Sequence, residues 1–279
     1  PRPRPPRSPE RVTVSDELVV AVAELLREAS AAAIEPRFHA LGDGEVIEKS
    51  AGELVTVADR EAEALITAGL AELDPGVPVV GEEGVAADPS RMDDLAAARV
   101  WLVDPLDGTA NFVNGSPDWA VMVALVQDGE TAASWIWQPL ERRMYAARRG
   151  RGATCNGRRL VTAPRGRTTD ELTGAVLTRY LDPPTRERVN RNVGRFGTVT
   201  AGRHCAGVEY PALIDGTTDF AFFWRTLPWD HAPGTLLVEE AGGVAARPDG
   251  TPYRPGPGGV GLLVAADRPT WDLARGLLD

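Results

Sequence analysis

The residue types that could do chemistry concentrate in one short stretch, Trp101-Leu-Val-Asp104-Pro-Leu-Asp107-Gly108-Thr109. A brief apolar run, Val100 to Val103, delivers a carboxylate, and a second carboxylate follows at Asp107, with Gly108 and the Thr109 hydroxyl directly behind it. Hard divalent cations take oxygen ligands. Phosphate takes N–H groups at a turn or helix start. One loop offers both. Pro105 has no N–H to give, so the strand ladder is expected to break there. Asp, Pro and Gly are also ordinary turn residues, and taken alone the stretch reads equally as an Asp-rich turn.

Two further segments repeat the pattern. Val77-Pro-Val-Val80 reads as a short buried strand followed by Gly81-Glu82-Glu83-Gly84, two carboxylates at a strand end between glycines. Trp229-Asp230-His231-Ala-Pro233 opens a helix, expected over Asp230 to Ala241, that Gly242-Gly243 ends. Pro233 is expected in its first turn, where proline is tolerated, and Asp230 at its N-terminus, where a carboxylate or a nearby anion is favoured. Asp230 there also reads as a plain cap. Glu82, Asp104, Asp107 and Asp230 brought together would repel: two carboxylates ~4 Å apart cost about 4 kcal/mol at an effective dielectric near 20. Two or three Mg²⁺ would relieve that and leave a ligand position for a phosphate dianion.

The elements that must position these acids follow from the chain in order. Pro1 to Glu10 is Pro- and Arg-rich and expected to be a disordered tail. Thr13 to Asp16 has capping-box spacing, and Leu18, Val22, Leu25, Leu26 and Ala29 follow a helical period that Pro36 closes. Phe38 to Glu53, with Gly42, Gly44, Gly52 and Lys49, reads as a hairpin or mobile loop. Lys49 is the only lysine of the chain and by itself reads as a solvated surface residue. Leu54 to Asp59 leads into a second helix reaching about Leu73; Asp59 is either its N-cap or an acid that orients a site water or ligand. Hairpin signals at Asp128-Gly129 and Asn156-Gly157 join runs at Trp119 to Val126, Thr131 to Trp137, Met144 to Ala147 and Ala153 to Cys155. Residues 11–163 thus form an α+β half with an antiparallel sheet and most of the acids. From about Pro164, β runs alternate with helical stretches, so 164–279 is an α/β half carrying Asp230.

Composition limits the function classes. The 279 residues suit one large α/β unit or two intimately packed halves, and 43% hydrophobic content permits a real core. A net charge of −10, with no basic block beyond the first seven residues, argues against nucleic acid and anionic membrane as partners. Cys155 and Cys205 are too few for a disulfide framework. Neither an eighteen-residue apolar span nor a signal-peptide core is present in the sequence, so a cytoplasmic protein is expected.

In their order along the chain these segments resemble the inositol monophosphatase-like family of metal-dependent phosphatases: Val55-Thr56…Asp59, Gly81-Glu82-Glu83, Asp104-Pro-Leu-Asp107-Gly-Thr109, Trp229-Asp230…Gly234 and Glu240-Ala-Gly-Gly243. The nucleophile loop of the haloacid dehalogenases, by contrast, spaces its acids by one residue, whereas Pro105 and Leu106 intervene here. The resemblance implies an α/β fold built as a layered αβαβα sandwich, and often a homodimer. It implies Glu82, Asp104 and the Leu106 carbonyl as ligands of one Mg²⁺, Asp104, Asp107 and Asp230 as ligands of a second, and Glu82 as holder of a third. It implies Gly108 and Thr109 N–H groups as the phosphate cradle, Thr109 and Glu82 as the groups that orient or deprotonate a metal-activated water, Lys49 on a metal-sensing loop, and Asp59 as an acid behind the metals.

Substrate choice departs from the family pattern. Inositol phosphate-binding members usually carry Gly-Ser/Thr-Ala before the helix leading to the last strand, where this chain reads Arg203-His204-Cys205-Ala206-Gly207-Val208-Glu209-Tyr210. The acid expected for sugar hydroxyls is replaced by Phe223, with Trp224 and Arg225 beside it. An aromatic there would lose hydroxyl recognition and gain a stacking surface, or be strand core; Arg225 would meet a second anion. His204, Glu209, Phe223 and Arg225 are therefore the expected substrate contacts. The expected activity is hydrolysis of a small ring-bearing sugar, cyclitol or nucleotide phosphate. A sugar bisphosphatase, a 3′,5′-bisphosphate nucleotidase and a histidinol-phosphate phosphatase are alternatives, and a non-catalytic binding or regulatory protein is an alternative of another class.

Overall fold

The computed structural model describes residues 14–42, 44–50, 53–163, 166–257 and 259–278. The expected tail 1–10, the capping box at Thr13, Gly52 and the half-boundary at Pro164 lie outside them. The strands are β1 (Val46–Ser50), β2 (Glu53–Thr56), β3 (Val79–Gly81), β4 (Arg99–Asp107), β5 (Ala120–Gln127), β6 (Glu130–Gln138), β7 (Arg143–Arg148), β8 (Gly152–Cys155), β9 (Arg158–Leu160), β10 (Thr173–Val176), β11 (Thr198–Thr200), β12 (Phe220–Arg225), β13 (Val244–Ala246) and β14 (Val260–Ala265). The α-helices are α1 (Asp16–Ala29), α2 (Val57–Leu73), α3 (Glu82–Ala87), α4 (Thr109–Val113), α5 (Pro183–Asn192), α6 (Ala206–Asp215), α7 (Pro228–Glu240) and α8 (Arg268–Leu278). Ser15 caps α1, its hydroxyl accepting from Leu18 N at 3.1 Å.

A seven-stranded sheet runs in the order β3-β4-β5-β6-β7-β8-β9, and a five-stranded sheet in the order β11-β10-β12-β14-β13. The first is antiparallel except at its edge, where β3 runs parallel to β4. That parallel pair is what sets the carboxyl ends of β3 and β4, hence Glu82 and Asp104, side by side.

Alternation along the strands sorts side chains into layers. On β4, Trp101 and Val103 face α1 and α2, packing with Leu26, Ile66 and Leu70. Val100 and Leu102 face the other way, into a cluster with Leu213 of α6 and Leu236 and Leu237 of α7. That cluster continues through Ala221 and Phe223 of β12 to the near face of the second sheet. On its far face Phe220, Phe222 and Leu263 pack against Val189 of α5 and Trp271 of α8. The layers are therefore helix, sheet, helix, sheet, helix. The middle helices α6 and α7 come from the second half of the sequence but bury themselves on the sheet of the first.

One expectation about proline is met in a different form and one needs correction. The ladder breaks at Pro105, but the strand does not end there. β4 continues to Asp107, and the register against β5 slips between Asp104↔Met122 and Asp107↔Ala120, so that Pro105 and Leu106 oppose the single residue Val121. A bulge leaves residues out of the ladder and bends the strand, which is where a residue without an N–H fits. Pro233 lies inside α7 rather than in its first turn, because the helix begins earlier, with Pro228 at its first position. At the far end Gly243 N donates to Val238 O at 2.9 Å and Gly242 N to Glu239 O at 3.0 Å, closing the helix with a glycine turn.

Candidate active site

Element ends from both halves of the chain meet at one pocket, which is lined by Glu82, Asp104, Leu106, Asp107, Gly108, Thr109 and Asp230 among others. The bulge in β4 turns Asp104 and Asp107 toward it. Asp104 is 2% exposed and accepts from Leu106 N at 3.1 Å. Asp107 Oδ2 accepts from Gly207 N at 2.6 Å, at the start of α6, and from the Cys205 thiol at 3.1 Å. Gly108 then takes a left-handed conformation, φ 87°, in which any Cβ would sit 2.7 Å from the Asp118 carbonyl; the residue must be glycine for the chain to enter α4 here. Asp230 stands in the first turn of α7.

Asp59 is not the cap of α2. Thr56 is, and Asp59 is its capping-box partner: Asp59 Oδ2 accepts from Thr56 N at 2.7 Å and Thr56 Oγ1 at 2.6 Å. Its other oxygen, Oδ1, lies 3.0 Å from Thr109 Oγ1, which is also 3.0 Å from the Leu106 carbonyl. One carboxylate therefore completes the capping box of α2 and holds the Thr109 hydroxyl.

Glu82 and Glu83 begin α3, whose N-terminus is capped from outside by Glu63: its carboxylate accepts from Glu83 N at 2.8 Å and Gly84 N at 2.7 Å. Gly81 leaves room for it, since a Cβ there would fall 2.4 Å from Glu63 Cδ and the carboxylate would have to shift. Lys49, on the β1–β2 hairpin, reaches over both, its ammonium 2.9 Å from Glu82 and 2.5 Å from Glu83. Half-buried and paired, it is no solvated surface lysine.

The electrostatics follow from this crowding. Burial, then the neighbouring Glu82, Asp107, Asp230 and Asp59 charges, hold Asp104 well above the usual carboxylate range. Burial and repulsion from Asp107 and Glu82 do the same for Asp230. Burial raises Asp107 to about 6 against the N–H of Gly207 and the thiol of Cys205, which favour its charge. Asp59 is likewise raised to about 6 by burial, opposed by its hydrogen bonds to Thr56 and Thr109. Glu83 is raised to about 7 by burial, opposed by the Lys49 ammonium, with the Glu82 and Asp59 charges adding to the rise. Burial would lower Lys49, but Glu82 and Glu83 together push it up.

The donor set is hard oxygen throughout, the chemistry Mg²⁺ takes. Among the described residues, no three His, Cys, Asp or Glu side chains stand close enough together as placed to hold a metal ion. The acids ring the pocket rather than close on a point, with Glu82 turned to Lys49 and Asp107 to Gly207.

Of the expected substrate contacts, His204, Phe223 and Arg225 line the pocket. Phe223 is 3% exposed, stacked on Tyr210 at 5.3 Å and edge-on to His231 at 4.8 Å, so most of its surface serves packing. Glu209 is not brought to the pocket. It is buried in α6 and its carboxylate turns back to accept from Arg203 N, capping the 202–203 turn. Several residues of the site carried no signal in the sequence: Glu63; Asn111, whose amide ties Asp118 O and Arg203 O at 2.8 and 2.7 Å; and Tyr180 and Glu53 in the pocket wall. His231 also lines the pocket. The Arg225 carbonyl can only accept, so Nε2–H donates to it at 3.0 Å and Nδ1 accepts from the Tyr210 hydroxyl at 2.8 Å; burial lowers His231 to about 4, which keeps it neutral for this arrangement.

Comparison with known proteins agrees with the architecture. The sequence profile of the inositol monophosphatase family matches residues 11–277. The inositol-1-monophosphatase of Mycobacterium leprae is 33% identical over 278 residues, covering 94% of this chain and 91% of its own. The Nus factor SuhB of Pseudomonas aeruginosa is 35% identical over 211 residues, 72% of this chain and 74% of its own. Among solved structures, the IMPase of Thermotoga maritima superposes with a TM-score of 0.77 at 25% identity, covering 95% of this chain and 98% of that one. With a profile spanning nearly the whole sequence, a relative aligned over more than nine-tenths of both lengths and the same layered fold, the chain belongs to the inositol monophosphatase family and is a phosphoric monoester hydrolase.

Proposed function

We propose that the chain hydrolyses a small, ring-bearing phosphate monoester with the help of two or three Mg²⁺. The observation that carries this reading is the ring of Glu82, Asp104, Asp107 and Asp230 around one pocket, three of them raised by burial and mutual repulsion. A protein keeps such a cluster where cations offset it. Glu82, Asp104, the Leu106 carbonyl, Asp107 and Asp230 are the groups that would hold the ions, with Glu82 leaving Lys49 to do so. Bound Mg²⁺ supplies Lewis-acid charge to the phosphoryl oxygens and lowers the pKa of water.

The chain's own residues do the rest. The N–H groups of Gly108 and Thr109 face the phosphate where Gly108 turns the backbone into α4. Asp59 takes the Thr109 proton in a hydrogen bond, which leaves the Thr109 oxygen as an acceptor aimed at the attacking water. Glu82 is the acid placed to receive that water's proton. Lys49 is the resident cation that Glu82 and Glu83 share in the absence of other charge. A small-molecule substrate fits the pocket; a homodimer is proposed on the family resemblance. Among the described residues no helix is long and apolar enough to cross a membrane.

The test is phosphate release, with and without Mg²⁺, from inositol phosphates, hexose and pentose phosphates, fructose bisphosphate, nucleoside mono- and bisphosphates and histidinol phosphate. Mg²⁺-dependent turnover of one class is the expected result. Silence across the panel by a folded, Mg²⁺-binding protein would overturn it.

A further inference from the structure

The pocket lining is of two unlike kinds. One is the ring of acids. The other is two guanidinium groups, Arg179 and Arg225, with the ring of Tyr180. Arg225 Cζ lies 4.1 Å from the Tyr180 centroid and Arg179 Cζ lies 5.2 Å from it. In a chain of net charge −10, two arginines on one aromatic ring inside the substrate pocket are not explained by phosphate binding at the acids.

Both are held in place. Arg225 ends β12, and its carbonyl is gripped by His231 Nε2–H, itself fixed by Tyr210. Arg179 and Tyr180 sit on the connection from β10 to α5, where Leu181 N donates to Thr178 O at 3.2 Å and Arg186 Nη2 donates to the carbonyls of Arg179 and Leu181 at 3.1 and 3.0 Å. Packing of Arg225 on an aromatic face keeps its planar fork extended, which suits bidentate binding of a carboxylate or phosphate. Its side chain is 37% exposed and pairs with Glu53 of β2, itself 33% exposed. Both partners are partly open to solvent, where an ion pair contributes little, so an incoming anion can displace it.

We propose that Arg225 and Arg179, set on the ring of Tyr180, form a subsite for a second anionic group of the substrate, a carboxylate or a further phosphate, and that Glu53 occupies it in competition. The preferred substrates are then compact phosphate monoesters bearing a second negative charge, rather than neutral polyol phosphates. This rests on the phosphatase reading above and extends it to substrate class.

The experiment compares matched pairs that differ by one anion: glucose 6-phosphate with 6-phosphogluconate, fructose 6-phosphate with fructose 1,6-bisphosphate, and adenosine 3′-monophosphate with adenosine 3′,5′-bisphosphate. Wild type is expected to favour the anion-bearing member of at least one pair by tenfold or more in kcat/KM, chiefly through KM. Arg225→Gln should collapse that ratio toward one, Arg225→Lys should restore part of it, and Glu53→Gln should lower KM for the favoured member. Arg191→Gln, an exposed arginine of α5 outside the pocket, should leave the ratio unchanged. A wild-type ratio near one in every pair, or a ratio that survives Arg225→Gln in a folded variant, would overturn the proposal. Calorimetric binding of the same pairs needs no turnover. Retained anion preference without phosphate release would sink the phosphatase reading and keep the subsite; release without preference would do the reverse.

Discussion

At the scale of single residues, the site works by giving Asp59, Glu82, Asp104 and Asp107 fixed partners. Asp107 is the clearest case, since Gly207 N–H and the Cys205 thiol both bind Oδ2. Asp107→Asn keeps the shape but loses the charge and half the acceptor capacity. It is expected to lower kcat on the order of a thousand-fold with a far-ultraviolet circular dichroism spectrum like that of wild type; a variant with turnover near wild type would contradict the assignment. Asp59 acts through Thr109. Asp59→Asn can present an amide N–H to Thr109 in place of an acceptor, so Thr109 Oγ1 would no longer be free to accept from water. A drop in kcat with little change in KM is the expected outcome, and steady-state kinetics beside Thr109→Ala checks it: the two losses should not add.

At the scale of elements, the acids are delivered by ends whose caps come from elsewhere. α3 has only six residues and starts with two acids, an arrangement stabilised by the two N–H groups that Glu63 of α2 accepts. Glu63→Ala removes that cap, and is expected to cost about 1 kcal/mol in stability and to raise the Mg²⁺ concentration needed for half-maximal activity, because Glu82 loses its anchored backbone. Thermal melts and a Mg²⁺ titration read the two effects separately. If the melt shifts while the titration does not, Glu63 supports the helix alone. Gly108→Ala belongs to the same scale: its Cβ would meet Asp118 O at 2.7 Å in a left-handed conformation, so the turn into α4 must move and activity should fall more than stability.

At the scale of the whole molecule, two sheets with α6 and α7 between them bury a set of carboxylates that repel. Asp59 and Asp107 hold their protons to about 6 and Glu83 to about 7 in the folded chain, against values near 4 in the unfolded one. Folded pKa values raised in this way mean that the unfolded state binds fewer protons between about pH 4 and pH 7, so these groups withdraw stability as pH rises through that window. Mg²⁺ should offset the charge that appears. The increase in melting temperature on adding Mg²⁺ to the chelated protein is therefore expected to grow from pH 5 to pH 7.5. An increase that is flat or shrinks over that range would mean the cluster is not where the ions bind.

The sequence by itself determined the acids and the order of the elements bearing them. The Asp104-Pro-Leu-Asp107-Gly-Thr segment, the Gly81-Glu82 strand end and Asp230 at a helix start are local patterns, and local backbone preferences carry them into the fold. It also determined the helical and β periodicities, since these depend on neighbours a few residues away. Tertiary structure alone decided three things. Pro105 rides in a bulge because β5 offers a single residue, Val121, opposite two. Glu209 was lost to the pocket because a buried carboxylate takes the nearest backbone donor, here Arg203 N. Glu53, Tyr180 and Arg225 met because strands and loops far apart in sequence share one pocket wall. Sequence spacing sets which way a side chain leaves its own strand or helix; what it finds there is set by the packing of elements distant in the chain.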